Sequence, residues 1–294
     1  MFNSSKTVPD WSGWLSKTTE GRNTVTESRI GYMQPIMHPI MDIATVKQCL
    51  QTSMDVTKML QQEYTLVTMD MAAAKLAYNI IWGDRESYKN VIVNLGPFHT
   101  MCSYMGATGK MMSGSGFEDI VVEAQLCASG SIDQVMSGKH YNRSVHVHQR
   151  MLDALEWACF REHVNLEHGM ESAVVVSNLA SQLSAENLQK AQQNEDCEIF
   201  MKEYEQFKAA VREGKYGTTA QFWLQYCDSV WTLLLFQETV KENDLDLFMN
   251  SLQKMCGLLF SADHQHYGRD CWLQLQCGSV LEMVFDTTQA RNIC

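Results

Sequence analysis

Apolar residues in the first part of the chain follow two spacings, one typical of strands and one typical of helices. Residues 64–69 and 90–95 are short runs rich in β-branched and other apolar side chains, which favours strands. Residues 71–82 are rich in alanine and carry apolar residues at helical spacing, and residues 99–112 return to that spacing. The order strand, helix, strand, helix predicts a βαβα unit.

Beyond residue 117 the spacing of apolar residues is almost wholly helical. Patterns of i, i+3 and i+4 cover residues 142–160, 184–212, 219–241, 245–260 and 267–276. Residues 42–61 carry a looser helical stripe, whereas residues 1–30 are polar and aperiodic. These patterns predict a polar lead-in over residues 1–30 and an α+β domain over residues 31–294. That domain would have a small early sheet and a large, mostly helical portion from about residue 117.

The composition is typical of a folded protein rather than a disordered one, with 45% hydrophobic and only 19% charged residues. No apolar run approaches the roughly 20 residues that span a bilayer, and the N-terminus lacks the pattern of a signal peptide. The ten cysteines form no CxxC pair, which is typical of free thiols in a reducing compartment. We therefore expect an intracellular protein without a membrane segment.

The formal charge of −11 is carried by one half of the chain. Residues 1–150 hold 13 acidic and 13 basic residues, whereas residues 151–294 hold 21 acidic and 10 basic residues. An acidic surface repels the phosphates of nucleic acids, so any contact with DNA would depend on local basic residues such as Lys139, Arg143 and Arg150. The acidic, helical half is better suited to protein partners.

The first candidate for chemistry is Asp70, which directly follows the first predicted strand. Open sheets place ligands at the carboxyl ends of their strands, and carboxylate oxygens at that edge can bind Mg²⁺. Aspartate is also a favoured N-cap, so Asp70 could instead begin the helix at Met71. The local sequence leaves both roles open.

Three further segments contain residues that can carry chemistry. His99 follows the second predicted strand, where it could bind a ligand, contact a phosphate or carry a proton, or could simply be a hydrogen-bonded structural histidine. Residues 138–143 (GKHYNR) could cradle a phosphate or form a solvated loop. Residues 261–270 (SADHQHYGRD) could bind a metal or link two helices. None of them matches a zinc spacing, a P-loop or a nucleophile elbow.

Taken in order, four segments resemble an uncharacterised, transposon-associated family. The segments are TMDMAAAKLAYNIIWGDRESYKNVIVNLGPFHTMCSYMGATGKMMSGSG, LCASGSIDQVMSGKHYNRSVHVHQRML, YGTTAQFWLQYCD and SADHQHYGRD. The resemblance runs from about Gly31 to Leu275, and the layout is similar to that of the Mutator-like DDE transposases. It implies a small ribonuclease-H-like sheet with flanking helices, and a helical insertion or extension from about residue 117.

The resemblance also assigns roles to individual residues near the predicted strands. The first catalytic aspartate of the Mutator-like pattern falls on Asp70, and the family histidine falls on His99. Some relatives have an aspartate two positions before this histidine. This chain has Pro97 there, and proline cannot bind Mg²⁺.

The third acid of the pattern comes late, after the insertion. Asp263 is one candidate for it, and Asp228 and Glu238 are others. With Asp263 in this role, the resemblance implies that Asp70 and Asp263 would hold Mg²⁺ in an active enzyme. The metal would then activate water or a 3′-hydroxyl against a DNA phosphodiester.

These expectations lead to three hypotheses about function. The first is a transposon-derived, DDE-type transposase-like protein whose catalytic activity is impaired. Such a protein would be nuclear if it acts on DNA. The second is a non-catalytic binding or scaffold protein, favoured by Pro97 and by the acidic C-terminal half. The third is an unrelated α/β hydrolase or transferase that uses His99 and needs a closed apolar pocket at the strand ends.

Overall fold

The computed structural model describes residues 31–167, 195–242 and 244–284. The elements in chain order are α1 Ile43–Met59, β1 Thr65–Met69, α2 Met71–Gly83, β2 Val91–Leu95, α3 Pro97–Met112, α4 Phe117–Glu123, α5 Ile132–Met136, α6 Tyr141–Glu167, α7 Glu195–Arg212, α8 Thr218–Glu242, α9 Leu245–Ser261 and α10 Gln265–Val284. The predicted lead-in over residues 1–30 lies outside the described residues, as does the first part of the helix predicted over residues 184–212.

The predicted α+β fold with a ribonuclease-H-like sheet is wrong. Helix accounts for 73% of the described residues and strand for 5%. Strands β1 and β2 form a two-stranded parallel sheet, and the described ranges contain no third strand. Apolar residues after β2 recur every three or four positions, a spacing that buries one face of a helix and not one face of a strand. The protein is therefore mostly α-helical.

The local predictions around the sheet are confirmed. The two strands, the helix between them and the helix after them each lie within one or two residues of their predicted bounds. Helix α3 begins two residues earlier than predicted, because Pro97 takes its first position. Proline is well tolerated there, since the missing N–H would have no partner within the helix.

Helix α2 connects the two parallel strands and packs closely against its neighbours. Its N-cap is Asp70, whose side chain accepts a hydrogen bond from the backbone N–H of Ala73. Ala73, Ala74 and Ala77 form its buried face, and it contacts α1 and β2. The small alanine side chains allow the helix backbone to lie close to the elements it covers.

Helix α3 is buried along most of its length and touches a neighbouring turn through its backbone. A Cβ atom added at Gly109 would overlap the carbonyl oxygen of Met136. In the same turn, Gly138 has a φ of +69°, and a Cβ atom there would overlap the carbonyl oxygen of Cys102. Glycine at both positions is therefore a packing requirement.

Replacing Gly109 with alanine is expected to lower the free energy of unfolding by about 1–3 kcal/mol, the usual cost of overpacking. The added methyl group meets the backbone of Met136, which cannot rotate away. Gly257, inside α9, is a matched control because its Cβ position is open. Gly257→Ala should raise stability by up to about 1 kcal/mol, since alanine favours helix over glycine. Urea unfolding followed by circular dichroism measures both changes, and equal effects would contradict the packing role of Gly109.

The chain divides into two compact units. Among the described residues, the first comprises residues 148–167 and 195–231, and the second comprises residues 31–147, 232–242 and 244–284. In the first unit, α6 and α7 pack through an aromatic cluster that includes Phe160, Phe200 and Tyr204. In the second unit, the core gathers side chains from the sheet, α1–α3, α8, α9 and α10.

None of the described helices combines the length and the apolar character that crossing a bilayer requires.

Candidate functional site

Asp70 and His99 lie at the same edge of the two-stranded sheet. The strands are parallel and remain paired up to Met69 and Leu95, so the residues that follow them are side by side. The backbone N–H of Gly96 donates to the carbonyl oxygen of Met69 at 2.8 Å. His99 lies in the first turn of α3, with its Cδ2 atom 3.9 Å from the Cβ position of Gly96. The structure thus brings these two candidate residues together at the carboxyl ends of the strands.

The carboxylate of Asp70 has a structural role at this edge. Its Oδ1 atom accepts a hydrogen bond from the N–H of Ala73 at 2.8 Å, and its backbone has the extended conformation of an N-cap. An aspartate at this position also interacts favourably with the positive end of the helix dipole. Asp70 therefore stabilises the first turn of α2.

Tyr267, on α10, is close enough to Asp70 to respond to its charge, although no sequence motif indicates this. Burial raises the pKa of the Tyr267 phenol, and the negative charge of Asp70 raises it further. The tyrosine lies within the segment 261–270 that the sequence marked as rich in polar groups. Only the long-range packing of the second unit shows that it reaches the strand ends.

Asp270 is a fully buried carboxylate close to Tyr267 and adds to the raised pKa of that phenol. Its Oδ1 atom accepts a hydrogen bond from Nε of Arg269 at 3.0 Å. Its Oδ2 atom has no hydrogen-bond partner in the part of the chain that the structure describes. A buried carboxylate oxygen without a donor is costly, so this oxygen is a position where a bound hydroxyl, amine or water would be stabilising.

Asp263, the predicted third acid, lies at the junction of α9 and α10. Its Oδ2 atom is 2.8 Å from Nζ of Lys110, and the hydrogen bond from Lys110, helped by its charge, lowers the pKa of the carboxyl group. Lys110 follows His99 by 11 residues in α3, which is about 16 Å along the helix axis. Asp263 is therefore bonded near the opposite end of α3 from His99.

The two other candidates for the third acid have different surroundings. Asp228 receives two hydrogen bonds from the guanidinium of Arg212, at 2.9 and 2.8 Å, and lies in the first unit. Glu238 lies on α8 in the second unit. Within the described ranges, no three histidine, cysteine or acidic side chains are placed so that they could share a metal ion.

The segment 261–270 is fixed to α3 by the side chains of two α3 residues, Lys110 and Ser103. Lys110 forms an ion pair with Asp263 and also donates to the carbonyl oxygen of Ala262. The Ser103 hydroxyl forms a hydrogen bond with Nδ1 of His264, at 2.8 Å. Burial lowers the pKa of the His264 imidazole, and the nearby charge of Lys110 lowers it further. These contacts give the segment a structural role in joining α10 to α3.

A separate pocket of about 620 Å³ opens at the amino ends of the strands. Thr65 and Val91, the first residues of β1 and β2, contribute to its wall. The rest of the lining comes mostly from polar side chains of α1 and of the loops around it. It is at the edge of the sheet opposite Asp70 and His99, so it does not form part of the strand-end site.

Comparison with known proteins identifies the family of this chain but no individual relative. No curated protein and no solved structure shows significant similarity to the chain. Residues 10–294 match a family described as Domain of unknown function (DUF8702). Because this match covers nearly the whole sequence, the protein belongs to that family.

Proposed function

We propose that the protein is a non-catalytic binding or scaffold protein. The observation that carries this proposal is the state of the three acids Asp70, Asp263 and Asp228. Asp70 caps α2, Asp263 is paired with Lys110, and Asp228 is paired with Arg212. Each of these carboxylates already accepts hydrogen bonds from its own chain.

Such bonding opposes metal-dependent catalysis. Mg²⁺ prefers carboxylate and water oxygens in a near-octahedral shell, and a two-metal site needs carboxylates that bridge ions about 4 Å apart. To bind Mg²⁺, Asp263 would have to give up its ion pair with Lys110, and the metal would then lie close to that ammonium group. The carboxylates are thus better matched to holding the fold than to holding a metal.

The charge of the chain supports a protein partner over a nucleic acid. Residues 151–294 hold 21 acidic and 10 basic residues, so this half would repel a phosphate backbone. We therefore propose that its partners are proteins.

The transposase-like function remains a second proposal, favoured by one observation. Asp70 and His99 lie at the carboxyl ends of parallel strands, which is where open sheets bind ligands, and the charge of Asp70 raises the pKa of Tyr267. In that case Asp70 would be one of the groups that bind Mg²⁺, and the protein would cut or join DNA strands. The match to a family of unknown function supports neither proposal over the other.

Two assays on the full chain distinguish these proposals. In the first, the protein is incubated with supercoiled plasmid or short duplex DNA in the presence of Mg²⁺ or Mn²⁺, and cleavage is measured. In the second, binding of the protein to the same duplex is measured at several salt concentrations. A scaffold protein is expected to leave the DNA intact and to show no salt-sensitive binding to the duplex. Metal-dependent cleavage that disappears in Asp70→Asn would overturn the scaffold proposal and support the transposase-like one.

Substitutions of Asp70 test its role more directly. Asp70→Ala removes the N-cap of α2 and should lower the free energy of unfolding by about 1 kcal/mol. Asp70→Asn is the matched variant, because asparagine is an equally good N-cap but a much poorer ligand for Mg²⁺. If Asp70 is only a cap, Asp70→Asn unfolds at nearly the same urea concentration as the parent, with or without Mg²⁺. Stabilisation by Mg²⁺ of the parent but not of Asp70→Asn would show a metal site.

A further inference from the structure

Two cysteines of the second unit meet where α9 packs against α10. Cys256, on α9, donates a weak hydrogen bond from its Sγ atom to the carbonyl oxygen of Gly268, at 3.9 Å. Cys271 follows Gly268 by three residues, so it lies one turn further along the same face of α10. The two thiols are close enough for each to shift the pKa of the other. Both are free thiols, and both belong to the buried core that α9 and α10 share.

The two thiols are chemically unequal. The hydrogen bond from Cys271 lowers the pKa of the Cys256 thiol, although burial opposes this effect. For Cys271, the hydrogen bond to Cys256, burial and the nearby charge of Asp270 all raise the pKa. Cys256 also retains 8% of its exposure to solvent, whereas Cys271 has none. A pair in which one thiol is more acidic and more accessible suits an attacking and a resolving cysteine.

We propose that Cys256 and Cys271 are a peroxide-sensitive pair that forms a reversible disulfide between α9 and α10. The Cys256 thiolate attacks a hydroperoxide, the O–O bond breaks, and the products are a sulfenic acid on Cys256 and an alkoxide or hydroxide that takes up a proton. The Cys271 sulfur then attacks the sulfenic sulfur, losing its proton and releasing water. Two thiols are oxidised and one peroxide is reduced, so atoms and electrons balance. A dithiol reductant reverses the bond by exchange.

Because of the position of the two cysteines, a disulfide between them would cross-link α9 and α10. Helices α9 and α10 follow one another in the chain and pack along a shared, buried face to which Cys256 and Cys271 both belong. The disulfide would close a loop with 14 residues between the two cysteines, among them Asp263, His264 and Tyr267. Oxidation would therefore restrict the segment that joins α10 to α3 and that carries Tyr267.

Peptide mapping of the full-length protein tests this proposal. The native protein is treated with a small excess of hydrogen peroxide, remaining thiols are alkylated, and the chain is digested with trypsin. Cleavage after Lys254, Arg269 and Arg291 places the two cysteines on different peptides. The expected product is a linked pair of peptides, two hydrogen atoms lighter than their sum, which separates on reduction. The second peptide also contains Cys277, so fragmentation must identify the bonded cysteine.

Matched variants separate this pair from general oxidation. In Cys271→Ser the linked peptides should be lost, and a sulfenic acid on Cys256 should become trappable by a cyclic dione. Cys277→Ser should leave the disulfide yield unchanged. The proposal is overturned if peroxide modifies other cysteines while Cys256 and Cys271 remain reduced thiols. It is also overturned if the linked peptides appear equally in Cys271→Ser, or appear only after the protein has been denatured.

Discussion

Replacing Glu156 with alanine is expected to lower the free energy of unfolding by about 3 kcal/mol or more, the largest effect of any single substitution considered. Glu156 is the shared acceptor of three side chains in the first unit. Its Oε1 atom accepts hydrogen bonds from Lys208 and from the indole of Trp231, each at 2.9 Å, and its Oε2 atom accepts one from Tyr204 at 2.9 Å. The carboxylate thus connects α6 with α7 and α8.

The electrostatics of this network explain the size of the effect. Burial alone would raise the pKa of the Glu156 carboxyl, but hydrogen bonds from Trp231, Lys208 and Tyr204 and the charge of Lys208 lower it below its ordinary value. Lys208 itself is buried, and its ammonium lies 5.5 Å from the centre of the Tyr204 ring. Removing Glu156 would leave this buried cation without its counter-ion, which costs more than the loss of an exposed ion pair.

Urea unfolding followed by far-ultraviolet circular dichroism measures this change, because the helix signal does not depend on Trp231. Asp153→Ala is the control on the same helix. Asp153 forms an exposed pair with Arg150 at 3.7 Å, and such pairs contribute about 0–1 kcal/mol. The double variant Glu156→Ala with Lys208→Met should recover part of the lost stability, since it also removes the buried charge. A loss below about 1 kcal/mol in Glu156→Ala would show that the network does not stabilise this unit.

Stability is also expected to fall by roughly 3 kcal/mol between neutral pH and pH 4 because of His148. The imidazole of His148 is buried, its Nδ1 atom lies 3.0 Å from the Tyr226 hydroxyl, and burial lowers its pKa from 6.5 to about 4. Above pH 6.5 the group is neutral in both the folded and the unfolded chain, so it has no effect on the pH dependence. As the pH falls from 6.5 towards 4, the unfolded chain binds a proton that the folded chain excludes, and the folded state loses stability.

A comparison of variants isolates this contribution from that of the carboxyl groups. His148→Gln keeps a polar side chain beside Tyr226 but cannot titrate, so its stability should depend less steeply on pH between 6.5 and 4. His146→Gln is the control, because His146 is exposed on the same helix and stays in contact with water whether or not the chain is folded. Unfolding free energies measured at several pH values give the slopes. Equal slopes for the parent and His148→Gln would contradict the assigned role of His148.

The sequence allowed the local structure of this protein to be predicted better than its fold. Alanine-rich helical spacing and two β-branched runs predicted α2, β1 and β2 almost to the residue, because these signals are local. The ribonuclease-H-like sheet was inferred from a resemblance between ordered motifs and not from further strand patterns. The chain has no such patterns after β2 in its described residues, and the sheet accordingly has two strands there.

In the candidate site, too, the positions that depend on local sequence could be predicted, whereas those that depend on long-range packing could not. Asp70 and His99 could be placed at one edge because each follows a strand of a parallel pair. The approach of Tyr267 and the burial of Asp270 depend on how α10 packs, which no local pattern specifies. For the same reason, spacing alone could not predict that Asp263 pairs with Lys110.

The contact of α3 with the turn at residues 136–138 also has a mechanical consequence. Side chains can absorb a displacement by changing rotamer, but the backbone contacts at Gly109 and Gly138 leave no side chain to do so. Helix and turn are therefore expected to move together. His99 lies in the first turn of that helix. A displacement of α3 at the carboxyl edge of the sheet would therefore also displace the turn at residues 136–138.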